Sequence, residues 1–374
     1  MNDKIRTHFP ALAAYNYLNS AAVAPIPTTA IEAINSQLTD VSANGSKNYS
    51  EWIAAKNRAR ELAASMLGSR PEQVAFMRNT SDGFASVANG LDWKAGDNIV
   101  SYELEFPANF YPWRMARDRF GVEVRLCPDR NGRIDMDEFI GMIDSKTRLV
   151  SISAVQYGSG FRADLERIGR AARSADALFA VDVIQGLGAC AFDLPGQYVD
   201  IASGASHKWL CAPEGCGILY ISDRARERVE PSFVGWISVA TPWDFCDRTQ
   251  PLKPNALAWE SGTGASSLFY GLEASLTLLK ETGLDRIEKH LESLSGELCE
   301  RLAAKDYDIV SSRKEGEKSA IVCIRHRGGL DCNAIAERLM ADNIVVSPRN
   351  DVLRIAPHFF NNSVDIERLI EALP

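Results

Sequence analysis

The chain has 374 residues, 46% hydrophobic and 24% charged, with 41 Lys and Arg against 49 Asp and Glu and a net charge of −8. This ordinary globular composition implies one large and one smaller domain, and the acidic balance argues against nucleic acid or an anionic membrane as a partner. No apolar run approaches a membrane span, the start (MNDKIRTHFPALAAYNYL) lacks a secretory apolar region, and the eight cysteines are scattered in mostly apolar runs; no metal is expected, and reduced thiols in a cytoplasmic protein are.

From about residue 70 to 222, short β-like runs alternate with helical stretches. The first run, QVAFM (73–77), leads into Arg78-Asn79-Thr80-Ser81-Asp82-Gly83 at the opening of a helix. Hydroxyls and amides at a helix N-terminus bind phosphate, although the same residues also serve as plain caps. NIVSYEL (98–104) runs into Glu105-Phe106-Pro107-Ala108-Asn109, where Phe106 can stack on a flat ring or fill a core. VEVRLC (122–127) and RLVSISAV (148–155) follow. ALFAVDV (177–183) carries Asp182, with Gln185 three residues on. A buried carboxylate at such a strand end is costly unless paired.

Gly186-Leu-Gly188-Ala-Cys-Ala191 fits a dinucleotide pattern, GxGxxA, but Phe-Asp-Leu-Pro (192–195) interrupts it where a helix must begin, so it is discounted. VDIASG (199–204) then reaches Ala205-Ser206-His207-Lys208-Trp209, and GCGILYI (215–221) is the seventh run. Several runs are almost continuously apolar, as strands covered on both faces are. The alternation predicts a largely parallel sheet with helices on both sides, and sites where loops leave the strand ends.

The pattern changes near residue 256. Ile287, Leu291, Leu294, Leu298 and Leu302 form one apolar helix face, short for a coiled coil and suited to packing on a sheet. SAIVCIRH (319–326), the helix NAIAERLMAD (333–342), NIVVS (343–347), VLRIAP (352–357) and a last helix read as a small α+β domain. The expected division is 21–255 for the large domain and 1–20 with 256–374 for the small one.

Lys208 and Asp182 together carry the chemistry. A lysine forms a Schiff base with an aldehyde, and an aspartate holds a protonated pyridine nitrogen, so the pair points to pyridoxal phosphate (PLP). Lys208 must lose its proton, which desolvation and nearby positive charge promote. His207 and Trp209 supply such a setting. Alone, a lysine before a loop is more often a surface residue. Arg354, inside the apolar strand LRIAP (353–357), suits bidentate capture of a carboxylate or is simply an edge-strand charge. Ser206 offers a further hydroxyl.

With these motifs in order, the chain resembles the class V aminotransferase family of fold type I PLP enzymes, which includes cysteine desulfurases, selenocysteine lyases, kynureninases and an isopenicillin-N-epimerase-like group. The resemblance runs nearly end to end: YLNSAAVAPIP (17–27), RNTSDG (78–83), ELEFPANFYPW (103–113), VQYGSG (155–160), AVDVIQGLGA (180–189), SHKWLCAPEGCGILY (206–220), ESGTG (260–264) and LRIAPHFFNN (353–362). It implies an α/β fold with a mostly parallel seven-stranded sheet in the large domain. Lys208 would hold PLP and move the α-proton, Asp182 would contact the ring nitrogen, and Gln185 and Gln156 would lie near the ring hydroxyl. Thr80, Ser81, Ser206 and His207 would lie around the cofactor, with Phe106 stacking where desulfurases carry a histidine. Arg354 would clamp the substrate carboxylate, and Thr263 would reach the phosphate of the neighbouring subunit in a homodimer with shared active sites.

Two departures bear on the reaction. Ala205 stands where desulfurases have Ser in Ser-Gly-His-Lys, and the loop Ser347-Pro348-Arg349-Asn350-Asp351 lacks the nucleophilic cysteine, so persulfide chemistry is not expected. The expected activity is transamination of a small amino acid, or C–S cleavage by β-elimination. Desulfurase or selenocysteine lyase chemistry, epimerisation, and a PLP-fold binding module without turnover are the alternatives.

Overall fold

The seven apolar runs become the seven strands of one sheet. In the computed structural model, which describes residues 3–374, they are β1 (Val74–Met77), β2 (Asn98–Tyr102), β3 (Glu123–Cys127), β4 (Thr147–Ser153), β5 (Leu178–Asp182), β6 (Ile201–Ala205) and β7 (Gly217–Ile221). Their spatial order is β1-β7-β6-β5-β4-β2-β3. Only β7 runs against its neighbours; the other pairs are parallel. Every residue of β2, β5, β6 and β7 is buried, which explains their continuous apolar character.

Alternate side chains feed two cores. Ile99, Leu149, Leu178 and Ile201 meet Phe84, Val87 and Trp113 on one face. Val100, Val150, Phe179 and Ala202 meet Ile168, Leu272 and Leu276 on the other. That second face is closed by helix Ser266–Thr282, which packs on helices Thr28–Asn44 and Tyr49–Met66.

The smaller sheet contains β8 (Tyr307–Ile309), β9 (Val322–His326), β10 (Ser347–Arg349) and β11 (Val352–Ile355), all antiparallel, in the order β10-β11-β9-β8. Residues 347–351, expected as a loop, instead begin a hairpin: Ser347 pairs with Arg354, and Asn350 turns the chain at φ 52°. The predicted stripe Ile287, Leu291, Leu294, Leu298 and Leu302 is the buried face of helix Leu284–Leu302. Its first two members join the core under the large sheet, and the last three join the core of the small sheet. Asn16–Tyr17 pairs in parallel with Ile344–Val345, tying the start of the chain to this sheet.

Strands β1, β2, β4, β5 and β6 all end on the same side of the large sheet. Arg354 on β11 reaches that side: its Nη1 donates to the Tyr157 carbonyl just beyond β4, at 3.0 Å. A ligand site at the carboxyl ends of the strands is the usual consequence of such topology.

Candidate active site

A cavity of about 330 Å³ lies at these strand ends, and Lys208, Asp182, Thr80, Phe106 and Arg354 are among its lining residues. Ser81, Gln185 and His207 line it too, as do Val23, Asn79, Tyr157 and Arg349. Lys208 is its only lysine among the described residues.

Lys208 is held by the turn that follows β6. The Cys211 amide donates to the Lys208 carbonyl (2.9 Å) and the Ala212 amide to the Ser206 carbonyl (3.0 Å). Ser206 Oγ donates to the Pro213 carbonyl and is fully buried, so it braces the turn rather than lining the cavity. Trp209 Nε1 donates to Gln185 Oε1 at 2.8 Å, and Gln185 Nε2 donates to the Ala21 carbonyl at 3.0 Å. Both ends of the Gln185 amide are therefore engaged within the chain. Gly188, in the discounted glycine pattern, has φ 104°, and a Cβ there would lie 2.2 Å from the Trp209 carbonyl oxygen. That glycine thus serves close packing on the lysine turn, and residues 183–200 form turns rather than a phosphate-facing helix.

Lys208 is 8% exposed. Burial pushes its ammonium pKa down, the Asp182 charge opposes this, and Arg354 and Arg349 reinforce it. Burial likewise pushes the Asp182 carboxyl up. Asp182 Oδ1 accepts the Ile184 amide at 2.9 Å, while Oδ2 is buried with no hydrogen bond in the chain. His207 is pushed down by burial and by Lys208, which keeps its imidazole neutral near pH 7.

Thr80 and Ser81 open helix Thr80–Gly90, capped by Asn79, whose Oδ1 accepts the Asp82 amide at 2.9 Å. Thr80 Oγ1 is buried without a partner. The cap sits close to β7 because Gly217 has no side chain: a Cβ there would lie 2.7 Å from the Asn79 nitrogen. Phe106 presents its ring to Lys208, with Nζ 5.4 Å from the centroid, and meets Tyr157 edge-on at 5.1 Å. Arg354 is 1% exposed. Besides its bond to Tyr157, its Nε and Nη2 have no partner. A guanidinium buried this way calls for an anion.

Besides Ser206, two expected residues lie outside this cavity. Gln156 Nε2 donates to Glu105 Oε1 at 2.6 Å, and the residue lines a neighbouring cavity. Thr263 lines another cavity of about 240 Å³ with Tyr49, Trp52, Trp236 and Trp243. Sequence reasoning assigned no role to Glu105, Tyr157 or Arg349. The signals were an acid directly before Phe106, the VQYGSG segment, and a second arginine five residues before Arg354.

The donor set fits PLP on these observations. Asp182 Oδ2 lacks a cationic partner, Thr80 Oγ1 and a helix N-terminus offer donors for a phosphate, and a buried lysine faces an aromatic ring.

The sequence matches the Aminotransferase class-V family over residues 16–355. A probable cysteine desulfurase of Methanothermobacter thermautotrophicus is 28% identical, covering 99% of this chain and 97% of the relative. An uncharacterized aminotransferase of Bacillus subtilis, YcbU, is 23% identical over 99% of this chain and 97% of its own length. Among solved structures, the apo cysteine desulfurase of Thermococcus onnurineus superposes with TM-score 0.89 at 22% identity, covering 99% of this chain and 97% of the other. The cystine C–S lyase C-DES, solved with cysteine persulfide, gives TM-score 0.89 at 23% identity, covering 97% and 98%. A family match spanning nearly the whole chain, on a fold shared along its full length, makes this protein a member of the class-V aminotransferase family and a PLP-dependent enzyme.

Proposed function

We propose that the protein cleaves the C–S bond of a small sulfur-containing α-amino acid by β-elimination, without forming a persulfide on itself. The carrying observation is the wall opposite Lys208. It is built by Arg349 and Arg354 of the β10–β11 hairpin, and residues 343–353 contain no cysteine. Cys323 and Cys332 both precede the hairpin in sequence and lie against it in space, but both are buried. Their Sγ atoms lie 3.2 Å from the Gly158 carbonyl and 3.3 Å from the Asn350 carbonyl. Burial pushes the Cys323 thiol up to about 11 and the Cys332 thiol up as well, so neither of these two is poised as a thiolate to attack the substrate sulfur.

Bound PLP supplies an electron sink conjugated with the substrate Cα. The protein's own contribution follows from the geometry. Arg354 Nε and Nη2 would bind the α-carboxylate, and Asp182 Oδ2 would pair with the protonated ring nitrogen. Thr80 Oγ1, Ser81 and the helix N-terminus would bind the phosphate. Phe106 would pack on the ring, and Lys208 Nζ, of lowered basicity, would take the proton from Cα. His207 borders the same space as a neutral imidazole.

With L-cysteine, elimination by the holoenzyme should give pyruvate, ammonia and sulfide in equal amounts, with no alanine and no protein-bound persulfide. Transamination is the second reading, favoured by the likeness to YcbU; its mark is mercaptopyruvate without ammonia. Alanine formed in step with a cysteine persulfide would return the protein to desulfurase chemistry. A colourless protein that stays colourless with added PLP would make it a binding module.

Thr263, in a cavity apart from Lys208 of its own chain, is proposed to complete the phosphate site of a second copy in a homodimer. Exposed Phe233, Trp243 and Phe245 lie in the segment before it, as residues of an interface do. Mixing inactive Lys208→Ala subunits with Thr263→Ala subunits should then restore roughly a quarter of wild-type turnover. Half of the random dimers are mixed, and each mixed dimer has one intact site. No activity beyond that of the separate variants would show that Thr263 acts in its own chain or not at all.

A further inference from the structure

The loop between β2 and the short 3₁₀ turn Pro107–Asn109 hides a carboxylate with no part in the chemistry just described. Glu105 is 7% exposed and accepts four hydrogen bonds from three residues, Asn109, Ser153 and Gln156. Oε1 takes the Ser153 amide at 2.7 Å and Gln156 Nε2 at 2.6 Å; Oε2 takes Asn109 Nδ2 at 2.9 Å and Ser153 Oγ. Burial pushes the Glu105 carboxyl up, and these donors oppose it.

Two partners of Glu105, and its own neighbour in the chain, lead to groups of the active site. Ser153 pairs in register with Asp182, and the next amide, Ala154, donates to the Asp182 carbonyl at 2.9 Å. Gln156 precedes Tyr157, whose carbonyl receives Arg354 Nη1. Glu105 itself precedes Phe106, whose ring faces Lys208. One buried side chain thereby joins the ring partner, the strand of the ring-nitrogen partner and the carboxylate clamp.

We infer that Glu105 is a positioning residue, a buried carboxylate that fixes Phe106, Asp182 and Arg354 relative to one another around the cofactor. The inference rests on the placement of PLP against Lys208 and Asp182 proposed above.

Only a carboxylate meets all four donors. In Glu105→Gln the amide oxygen can face the Ser153 amide and Gln156, which turns its NH₂ onto Asn109 Nδ2. Asn109 cannot flip to receive it without loss, because its Oδ1 already accepts Trp113 Nε1 at 3.1 Å and Ser151 Oγ at 2.6 Å. A donor facing a donor in a buried site moves the loop instead.

Purified Glu105→Gln holoenzyme should keep its far-UV circular dichroism. It should lose about half or more of the visible circular dichroism of the bound cofactor, and hold PLP about tenfold less tightly in equilibrium dialysis, because a site loosened by a fraction of an ångström loses fixed orientation first. Visible dichroism and PLP retention matching wild type would overturn the inference. Ser153→Ala, which removes one donor and leaves the carboxylate, should shift both readings in the same direction by a smaller amount. If Glu105→Gln does not fold, wild-type readings for Ser153→Ala alone would overturn the inference. Lys208→Ala, trapped with borohydride in parallel, keeps the two ideas apart. A persisting reducible linkage there refutes the PLP placement, whereas its loss beside an unchanged Glu105→Gln spectrum refutes only the role of Glu105.

Discussion

Lys208→Ala is expected to abolish the borohydride-reducible link between protein and PLP and to lower turnover by about 10³-fold or more, the range lost when a positioned proton-transfer group is removed. Among the described residues Lys208 is the one lysine in the cavity, so no lining neighbour can take its place. Its turn does not depend on the side chain. The Cys211 and Ala212 amides and Trp209 Nε1 hold the loop through backbone and indole contacts that alanine leaves intact. Mass spectrometry after reduction supplies the decisive reading. A PLP adduct at another lysine in the variant would sink the assignment.

That this residue could be found at all without coordinates follows from the kind of signal it leaves. Each strand of the large sheet is a short apolar run between turns, because both faces of the sheet are covered; Ile99 and Val100 go to opposite cores, and both must be apolar. The polar residues at the ends of such runs stand out for that reason, and Asp182, Thr80 and Lys208 were legible in this way. Thr28–Asn44 and Tyr49–Met66 were not. These helices bury small residues such as Ala30, Ala55, Ala59 and Ala63, which leave little hydrophobic contrast. The hairpin at 347–355 was hidden because its first strand carries Pro348 and Arg349, residues that read as loop.

Hydrogen-bond bookkeeping is where sequence reasoning fell furthest short. Gln185 and Gln156 look like ligands for a ring hydroxyl, yet both spend amide nitrogens on the protein, one on the Ala21 carbonyl and one on Glu105. Conversely, the buried atoms without partners among the described residues include three groups that line the cavity, Asp182 Oδ2, Thr80 Oγ1 and two nitrogens of Arg354, and also Gln156 Oε1 beside it. No pattern of residue types reveals which of two chemically equivalent groups has been satisfied internally, because that depends on side chains distant in sequence. Glu105 shows the same gap: its partners lie 4, 48 and 51 residues away.

Asp182→Asn separates holding the cofactor from using it. The substitution keeps the volume at the end of β5, and the amide oxygen can still accept the Ile184 amide that Oδ1 now accepts at 2.9 Å. The change falls on the other atom. Oδ2, now an acceptor with no partner in the chain, becomes an NH₂ donor. A donor there favours the unprotonated ring nitrogen, so the ring can still be bound through Thr80, Ser81 and Phe106 but withdraws electrons from Cα far less well. The expected result is near-wild-type PLP content with turnover lowered by about 10²-fold or more, in the range of groups that act by stabilising charge in the transition state. KM should change much less than kcat, because Arg354, the proposed partner of the substrate carboxylate, is untouched. Absorbance and PLP analysis of dialysed protein check the first part, and steady-state kinetics the second. Wild-type turnover in this variant would remove Asp182 from the mechanism. Loss of PLP with little change in kcat for the sites still loaded would make it an anchor and nothing more.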